Sequence, residues 1–371
     1  MRPRALFFWK GRFRMDPVRV QRVTARMKEA GLEQILVTAT TSLFYLTGHW
    51  VEPHERMIAL WLTADGRAAL FGNEIFGLTS APDLPFVSHK DGEDPVAGLA
   101  GAVRPGKLGI DKFWYSKFLI GLMARRPDVT PLEGSFPVDL CRMTKDGAER
   151  DAMRRASAQN DQVVAAAIGA VHAGVRENEL AALVNREFLS RGADCEGTQL
   201  VCFGPNGADP HHSGDSTVLK PGDSIIFDIF TPISRYWCDM TRTVFYKTVS
   251  DRQRRVYELV RRANAAAEAA VRPGVPLSEL DGIARGIIAD GGFGPYFTHR
   301  LGHGCGIDCH EPPDVSGASE AVCRPGMVFS VEPGIYLPGE FGVRIEDLVM
   351  VTEDGCEVLN QYPKELQVIG D

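Results

Sequence analysis

The sequence has 371 residues, 44% hydrophobic and 24% charged, ordinary values for a soluble globular protein with enough chain for two domains or one large one. A net charge of −7 gives no basic footprint and argues against a nucleic-acid partner. No apolar run approaches the ~20 residues of a membrane span, so no membrane role is expected.

The N-terminus, MRPRALFFWKGRFRMDP, is basic with a short apolar core, Leu6 to Trp9. A secretory signal needs about 7–15 apolar residues, so this one does not qualify. Residues 1–14 read as a disordered tail or an artefact of start-site choice. The amphipathic pattern of residues 16–31 predicts a helix ending at Gly31. LEQILVTA predicts a strand, TTSLFYLTG a helical or irregular link, and RMIALWLTADG a strand with a turn. RAALFG, PFVSHK and KLGID continue the strands, and FWYSKFLIGLMARR predicts a helix. This alternation suits a smaller α/β domain over residues 15–140, closed by the turn-rich PDVTPLEGSFPVDL.

From Arg142 a long helix is predicted, capped by Asp146 or Thr144 and stopped by Gly174. ENELAALVNREFLSRGA, DRQRRVYELVRRANAAAEAAV and PLSELDGIARGIIADGG are further helices. TQLVCFGPNG, GDSIIFDIF, YWCDMTRTVFY, MVFSVEPGIY and VRIEDLVMV are strands. Residues 141–371 therefore read as α+β, without a short-period repeat. The eight cysteines form no C-x-x-C pair and read as reduced thiols of a cytosolic chain.

Two predicted hairpins carry carboxylates inside apolar strands. If the first closes symmetrically between Ile233 and Ser234, Asp228 and Asp239 are direct cross-strand neighbours with Cβ atoms ~5 Å apart. In the second, Glu332 and Glu346 are equidistant from Gly339, and Arg344 shares the face of Glu346. Singly, each has a plainer reading: a water-facing edge aspartate, a turn glutamate before Pro333, a surface ion pair worth ~0–1 kcal/mol. The paired symmetry favours a site instead. Four inward carboxylates with one or two imidazoles suit two divalent ions, and oxygen donors favour manganese, magnesium, cobalt or zinc. Two such ions can activate a water and polarise a carbonyl.

His211 and His212 follow the glycine-rich FGPNGADP. His299, His303 and His310 lie in or beside RLGHGCGIDCHE, whose glycines let the backbone pass close to an ion or substrate. His303 can supply a nitrogen ligand. Cys305 and Cys309 lack a second cysteine pair for a structural zinc cluster. His212 and His299 read as packed or supporting histidines. For His211 and His310 the residues leave both a structural and a catalytic reading open.

FDIFTPISRYWCDMTRT, THRLGHGCGIDCHEPP, MVFSVEPGIY and VRIEDL, in this order and spacing, resemble the pita-bread metallopeptidase family. That family includes methionine aminopeptidase, aminopeptidase P, prolidase and the metal-free creatinase. The resemblance implies a pseudo-two-fold α+β catalytic domain with two divalent ions, manganese first and cobalt or zinc as alternatives. It implies that Asp228 binds one ion, that Asp239 and Glu346 bridge both, and that His303 and Glu332 bind the other. Glu332 would also shuttle a proton. His211 and His310 are similar to the imidazoles that hold the substrate and stabilise the tetrahedral intermediate. Arg344 and Tyr336 resemble supporting and substrate-side groups.

Prolidases and aminopeptidase P have an N-terminal domain and are commonly dimeric or larger, so the resemblance implies a homodimer. VEPHERM, residues 51–57, is similar to a loop that closes over the active site of bacterial prolidases. There His54 and Arg56 would meet substrate termini, Arg56 a carboxylate. Three positions depart from the pattern: Phe230 for a glycine, Cys238 for a serine, and Asp314 where several prolidases carry a carboxylate-binding arginine. The implied activity is hydrolysis of the Xaa-Pro bond in the cytoplasm, with dipeptides preferred. Its main alternative is aminopeptidase P action on longer peptides. Remoter readings are a creatinase-like amidinohydrolase and a catalytically inactive binding module.

Overall fold

Asp16 opens the first helix. Its side chain accepts from the N–H groups of Val18 and Arg19, Pro17 takes the first helical position, and α1 spans Pro17–Glu29. The structure, a computed structural model, describes residues 14–370. The expected N-terminal tail, apart from Arg14, lies outside the described residues. The chain divides into two compact units, one ending at Arg142 and one beginning at Met143.

The first unit runs β1 (Gln34–Val37), α2 (Thr40–Thr47), β2 (Ile58–Thr63), β3 (Ala68–Asn73), β4 (Phe86–His89), α3 (Ala97–Ala102), β5 (Gly106–Ile110), α4 (Ser116–Arg125), β6 (Val129–Glu133) and α5 (Phe136–Arg142). Its six strands form one mixed sheet in the order β4-β3-β2-β1-β5-β6. β1 is buried along its whole length, so its apolar run ILV does not alternate. Gly66, at φ +88°, makes the tight turn from β2 to β3. TTSLFYLTG resolves as helix α2, ended by Gly48 in the left-handed region.

The second unit begins with α6 (Gly147–Gly169), α7 (Glu177–Ser190), β7 (Leu200–Phe203), β8 (Ser224–Ile233) and β9 (Tyr236–Tyr246). It continues with α8 (Asp251–Ala270), α9 (Leu277–Asp290), β10 (Gly302–Gly304), β11 (Glu311–Val315), β12 (Val328–Val331), β13 (Gly334–Leu337), β14 (Phe341–Arg344), β15 (Asp347–Val351), β16 (Cys356–Val358) and β17 (Val368–Ile369). One sheet has the order β17-β9-β8-β7, a second β11-β10-β12-β15-β16, and β13 pairs with β14. Asp146 caps α6 in a reciprocal box with Glu149. The helix stops at Gly169 and does not reach Gly174. By Val175 the backbone is committed to a bridge, accepting from Leu219 N–H at 3.0 Å, and Gly174 instead shapes the turn at φ +82°.

This unit is built twice. VHAGV (171–175) and VRPGV (271–275) make the same turn, with Gly174 at φ +82° and Gly274 at φ +86°. Val275 O accepts from Cys323 N–H as Val175 O does from Leu219. α6 and α7 bury their apolar faces against β7, β8 and β9, while α8 and α9 bury theirs in the core of the other sheet. Asn160 of α6 donates to Ile229 O at 3.0 Å, and Asn264 of α8 donates to Val331 O at 2.9 Å. Each of these carbonyls neighbours a carboxylate of interest, Asp228 or Glu332. Both asparagines are fully buried, so each removes one unpaired carbonyl from the interior. Asn160→Ala or Asn264→Ala should each lower the free energy of urea unfolding by about 1–3 kcal/mol. A loss below about 0.5 kcal/mol, the scale of a neutral surface change, would contradict this role.

Candidate metal centre

The first hairpin does not close where the sequence suggested. Ile233 pairs with Tyr236, Phe230 with Asp239, and Asp228 with Thr241. Asp228 and Asp239 are therefore diagonal neighbours on one face, not direct partners. The cause is the turn: Ser234 and Arg235 both adopt positive φ, 53° and 69°, and make a two-residue connection whose twist suits a hairpin. In the second hairpin the register is as expected. Val331 faces Asp347 and Gly334 faces Arg344, so the intervening Glu332 lies opposite Glu346.

These strands bring Asp228, Asp239, Glu332, Glu346, His303, His310, His211 and Arg344 to one cavity of about 470 Å³. Asp239, His303 and Glu346 each offer a ligand atom within 4.8 Å of the others. His303 Nδ1 lies 3.1 Å from Gly304 O, which fixes the proton on that nitrogen. Nε2 then presents a lone pair toward Glu332 Oε1 at 3.3 Å and Asp239 Oδ2 at 3.8 Å. A lone pair facing carboxylate oxygens calls for a cation between them. Asp228 Oδ1 and Asp239 Oδ1 are buried without a hydrogen-bond partner, which the same cation would supply. The donor set thus fits divalent metal.

Surrounding groups orient the carboxylates. Thr241 Oγ1 donates to Glu346 Oε2 at 2.7 Å, Ser330 Oγ to Glu332 Oε1 at 3.0 Å, and Arg344 Nη2 to Asp228 Oδ2 at 2.5 Å. Tyr336 stands behind Arg344: its hydroxyl accepts from Arg344 Nη1 and donates to His299 Nε2, both at 2.8 Å. His299 Nδ1 is held by Arg300 O at 2.7 Å. The His310 ring packs edge-on to His303, with centroids 4.1 Å apart. Among the described residues the groupings of candidate ligand atoms contain no cysteine. The other grouping, Glu177 with His212 and Asp215, is not a metal site, because loop donors already occupy both Glu177 oxygens.

Sequence reasoning missed Arg300. It lines the cavity, is 37% exposed, and is paired with Asp314, the residue noted as a departure. His54 and Arg56 belong to the first unit. His54 is exposed at φ +50°. Arg56 is held bidentately by Asp91 at 3.0 and 2.8 Å and by Glu55 at 2.7 Å.

Residues 151–353 match metallopeptidase family M24, and residues 19–144 match the creatinase/prolidase N-terminal domain. The chain belongs to metallopeptidase family M24. An Xaa-Pro dipeptidase of Lactobacillus delbrueckii subsp. lactis is 33% identical over 360 residues, covering 92% of this chain and 96% of that protein. The prolidase from Thermococcus sibiricus superposes with a TM-score of 0.90 at 32% identity, covering 96% of this chain and 100% of that one. The X-Pro aminopeptidase from Thermotoga maritima MSB8 gives 0.78 at 26%, covering 93% and 100%.

In this M24 peptidase the electrostatics agree with the geometry. Burial pushes the Asp239 and Glu346 carboxyls well above the usual range, and neighbouring carboxylates push them further. Glu332 is pushed up to about 7, chiefly by burial. His303 is pulled down to about 3 by burial and by His310, so its ring is neutral and can ligate. Without a cation the cluster must retain protons. For metal-stripped protein the sign follows: the unfolded Glu332 ionises from about 4.5, while the folded group keeps its proton to about 7. Stability should therefore fall as pH rises across that window. A divalent ion needs the ionised carboxylates, so its stabilising effect should grow over the same range. Thermal unfolding with and without saturating manganese, at about pH 5 and about pH 7.5, should show the larger shift at the higher pH. An equal or smaller shift there would refute the assignment.

Proposed function

We propose that this M24 metallopeptidase hydrolyses the Xaa-Pro bond of dipeptides, with a pair of divalent ions held by Asp228, Asp239, His303, Glu332 and Glu346. The observation that carries the reading is the meeting, in one cavity, of that anionic cluster with a partly exposed cation, Arg300. When bound, the ions supply an activated water and a Lewis acid for the scissile carbonyl. The residues do the rest. The scissile nitrogen of an Xaa-Pro dipeptide carries no N–H, so recognition falls on the ends of the substrate. Arg300 receives the proline carboxylate through charge-assisted hydrogen bonds. We assign it this role in preference to Arg56 because Arg300 lines the cavity that holds the carboxylates. His211 and His310 donate to the charge that develops on the carbonyl oxygen. Glu332, ionised at rest, takes up the proton that the attacking water gives up and passes it to the proline nitrogen. Arg344, braced by Tyr336, keeps Asp228 in place.

Manganese is the proposed ion, with cobalt and zinc as alternatives, because four carboxylates and one imidazole form a predominantly hard donor set. A homodimer in the cytoplasm is part of the same reading. Eight free cysteines fit a reducing compartment. Among the described residues no helix is long and apolar enough to cross a membrane. Aminopeptidase action on longer Xaa-Pro peptides is the second reading; the relative named for it shares 26% identity, against 33% for the dipeptidase.

Turnover of Ala-Pro should vanish with chelator and return with added manganese, cobalt or zinc, and Ala-Pro should be cleaved faster than Ala-Pro-Ala. Faster tripeptide cleavage would select the aminopeptidase reading. Arg300→Met should raise KM for Ala-Pro about 10- to 100-fold, as expected for loss of a charged hydrogen bond. It should leave Ala-Pro-amide, which lacks the carboxylate, nearly unchanged. Equal effects on both substrates would remove Arg300 from carboxylate recognition.

A further inference from the structure

Between β7 and β8 a long loop carries His211 into the cavity. Among the described residues the His211 ring makes no hydrogen bond, so its backbone must set its place. A short turn acts locally, with His211 N–H donating to Asp209 Oδ1 at 3.0 Å and His212 N–H to Asp209 O at 3.2 Å, and Cys202 Sγ donates to His212 O at 3.4 Å.

The loop is organised from outside by one carboxylate. Glu177, the first residue of α7, is completely buried. Its Oε1 accepts from Phe203 N–H at 2.6 Å and Asn206 Nδ2 at 3.1 Å. Its Oε2 accepts from Asn206 Nδ2 at 3.2 Å, His212 Nε2 at 3.1 Å and Asp215 N–H at 3.0 Å. The last residue of β7 and three separated positions of the loop thus solvate one anion. A buried carboxylate stripped of such donors is costly, so the loop satisfies it in one arrangement. His211 lies between two of those anchors, Asn206 and His212.

The internal repeat supplies an independent comparison. Glu177 N–H donates to Thr217 O at 3.2 Å, and Leu277 N–H donates to Ala321 O at 3.0 Å, so Leu277 is the counterpart of Glu177. Leu277 is equally buried but apolar. The same scaffold position carries a charge only in the half whose loop bears His211.

We infer that Glu177 is a positioning residue for catalysis: through His212 and the loop backbone it sets where the His211 imidazole stands. This rests on the substrate role proposed for His211. The test is a double-mutant cycle on Ala-Pro hydrolysis, with manganese affinity measured alongside by calorimetry. Glu177→Gln keeps the shape but turns an amide toward N–H donors. It should lower kcat/KM about 10- to 100-fold, the scale of a misplaced catalytic group. Manganese affinity should hold. In the His211→Ala background the same change should cost no more than about twofold, within ordinary additivity. Multiplying effects, or loss of manganese binding with Glu177→Gln, would overturn the positioning role and leave His211 standing. A silent His211→Ala would overturn the reading of His211 and this inference with it. Should Glu177→Gln fail to fold, His212→Leu and His212→Gln carry the test. The leucine should lower kcat/KM only when His211 is present, and the glutamine, which retains a donor, should restore it. Absence of that rescue would count against the inference.

Discussion

Mutual repulsion among Asp228, Asp239, Glu332 and Glu346 sets the terms for the catalytic unit. Two unit charges ~4 Å apart repel by about 4 kcal/mol at an effective dielectric of 20, and burial adds a desolvation cost to each. Among the described residues Arg344 is the one guanidinium that pairs directly with a member of the set, through Asp228. Neutral donors, the hydroxyls of Thr241 and Ser330 and the Cys309 thiol at 3.4 Å from Asp239 Oδ2, aim oxygens without cancelling charge. The arrangement keeps negative potential concentrated, as the capture of multivalent cations requires.

Holding such a cluster together demands a frame that does not yield. Arg242 provides much of it and is 1% exposed. Its Nε donates to Tyr362 O at 3.1 Å, Nη1 to Thr241 O at 3.0 Å and Glu346 O at 2.7 Å, and Nη2 to Asp347 Oδ1 and Tyr362 O, both at 2.7 Å. All five of its N–H groups are used, which a lysine with three donors could not match. The bridge ties β9, which carries Asp239, to the segment that carries Glu346. Lys364 completes the array beneath, 2.7 Å from Glu268 and 2.8 Å from Asp347.

Much of this was readable in the residues, for identifiable reasons. Glu332 and Glu346 could be paired because Gly339 marks their turn, and the register on either side conserves the spacing. Asp228 and Asp239 were misregistered by two positions because Ser234 and Arg235 enter the left-handed region without the glycine or asparagine that usually signals it. Arg300 escaped notice because its partner, Asp314, lies on the far side of the β10–β11 connection. The two-fold repeat was implied by the resemblance alone, because few identities persist a hundred residues apart, Val171, Gly174 and Val175 against Val271, Gly274 and Val275. Backbone geometry preserved what side chains did not.

That duplication bears on biogenesis. Asp228 and Asp239 come from one half and His303, Glu332 and Glu346 from the other, so neither half alone assembles the proposed ligand set. A nascent chain that has completed only the earlier half offers two aspartates and no imidazole from the later one. With the proposed ligands, tight uptake of ions would await closure of both halves, and bound ions would then act as a rivet across their seam.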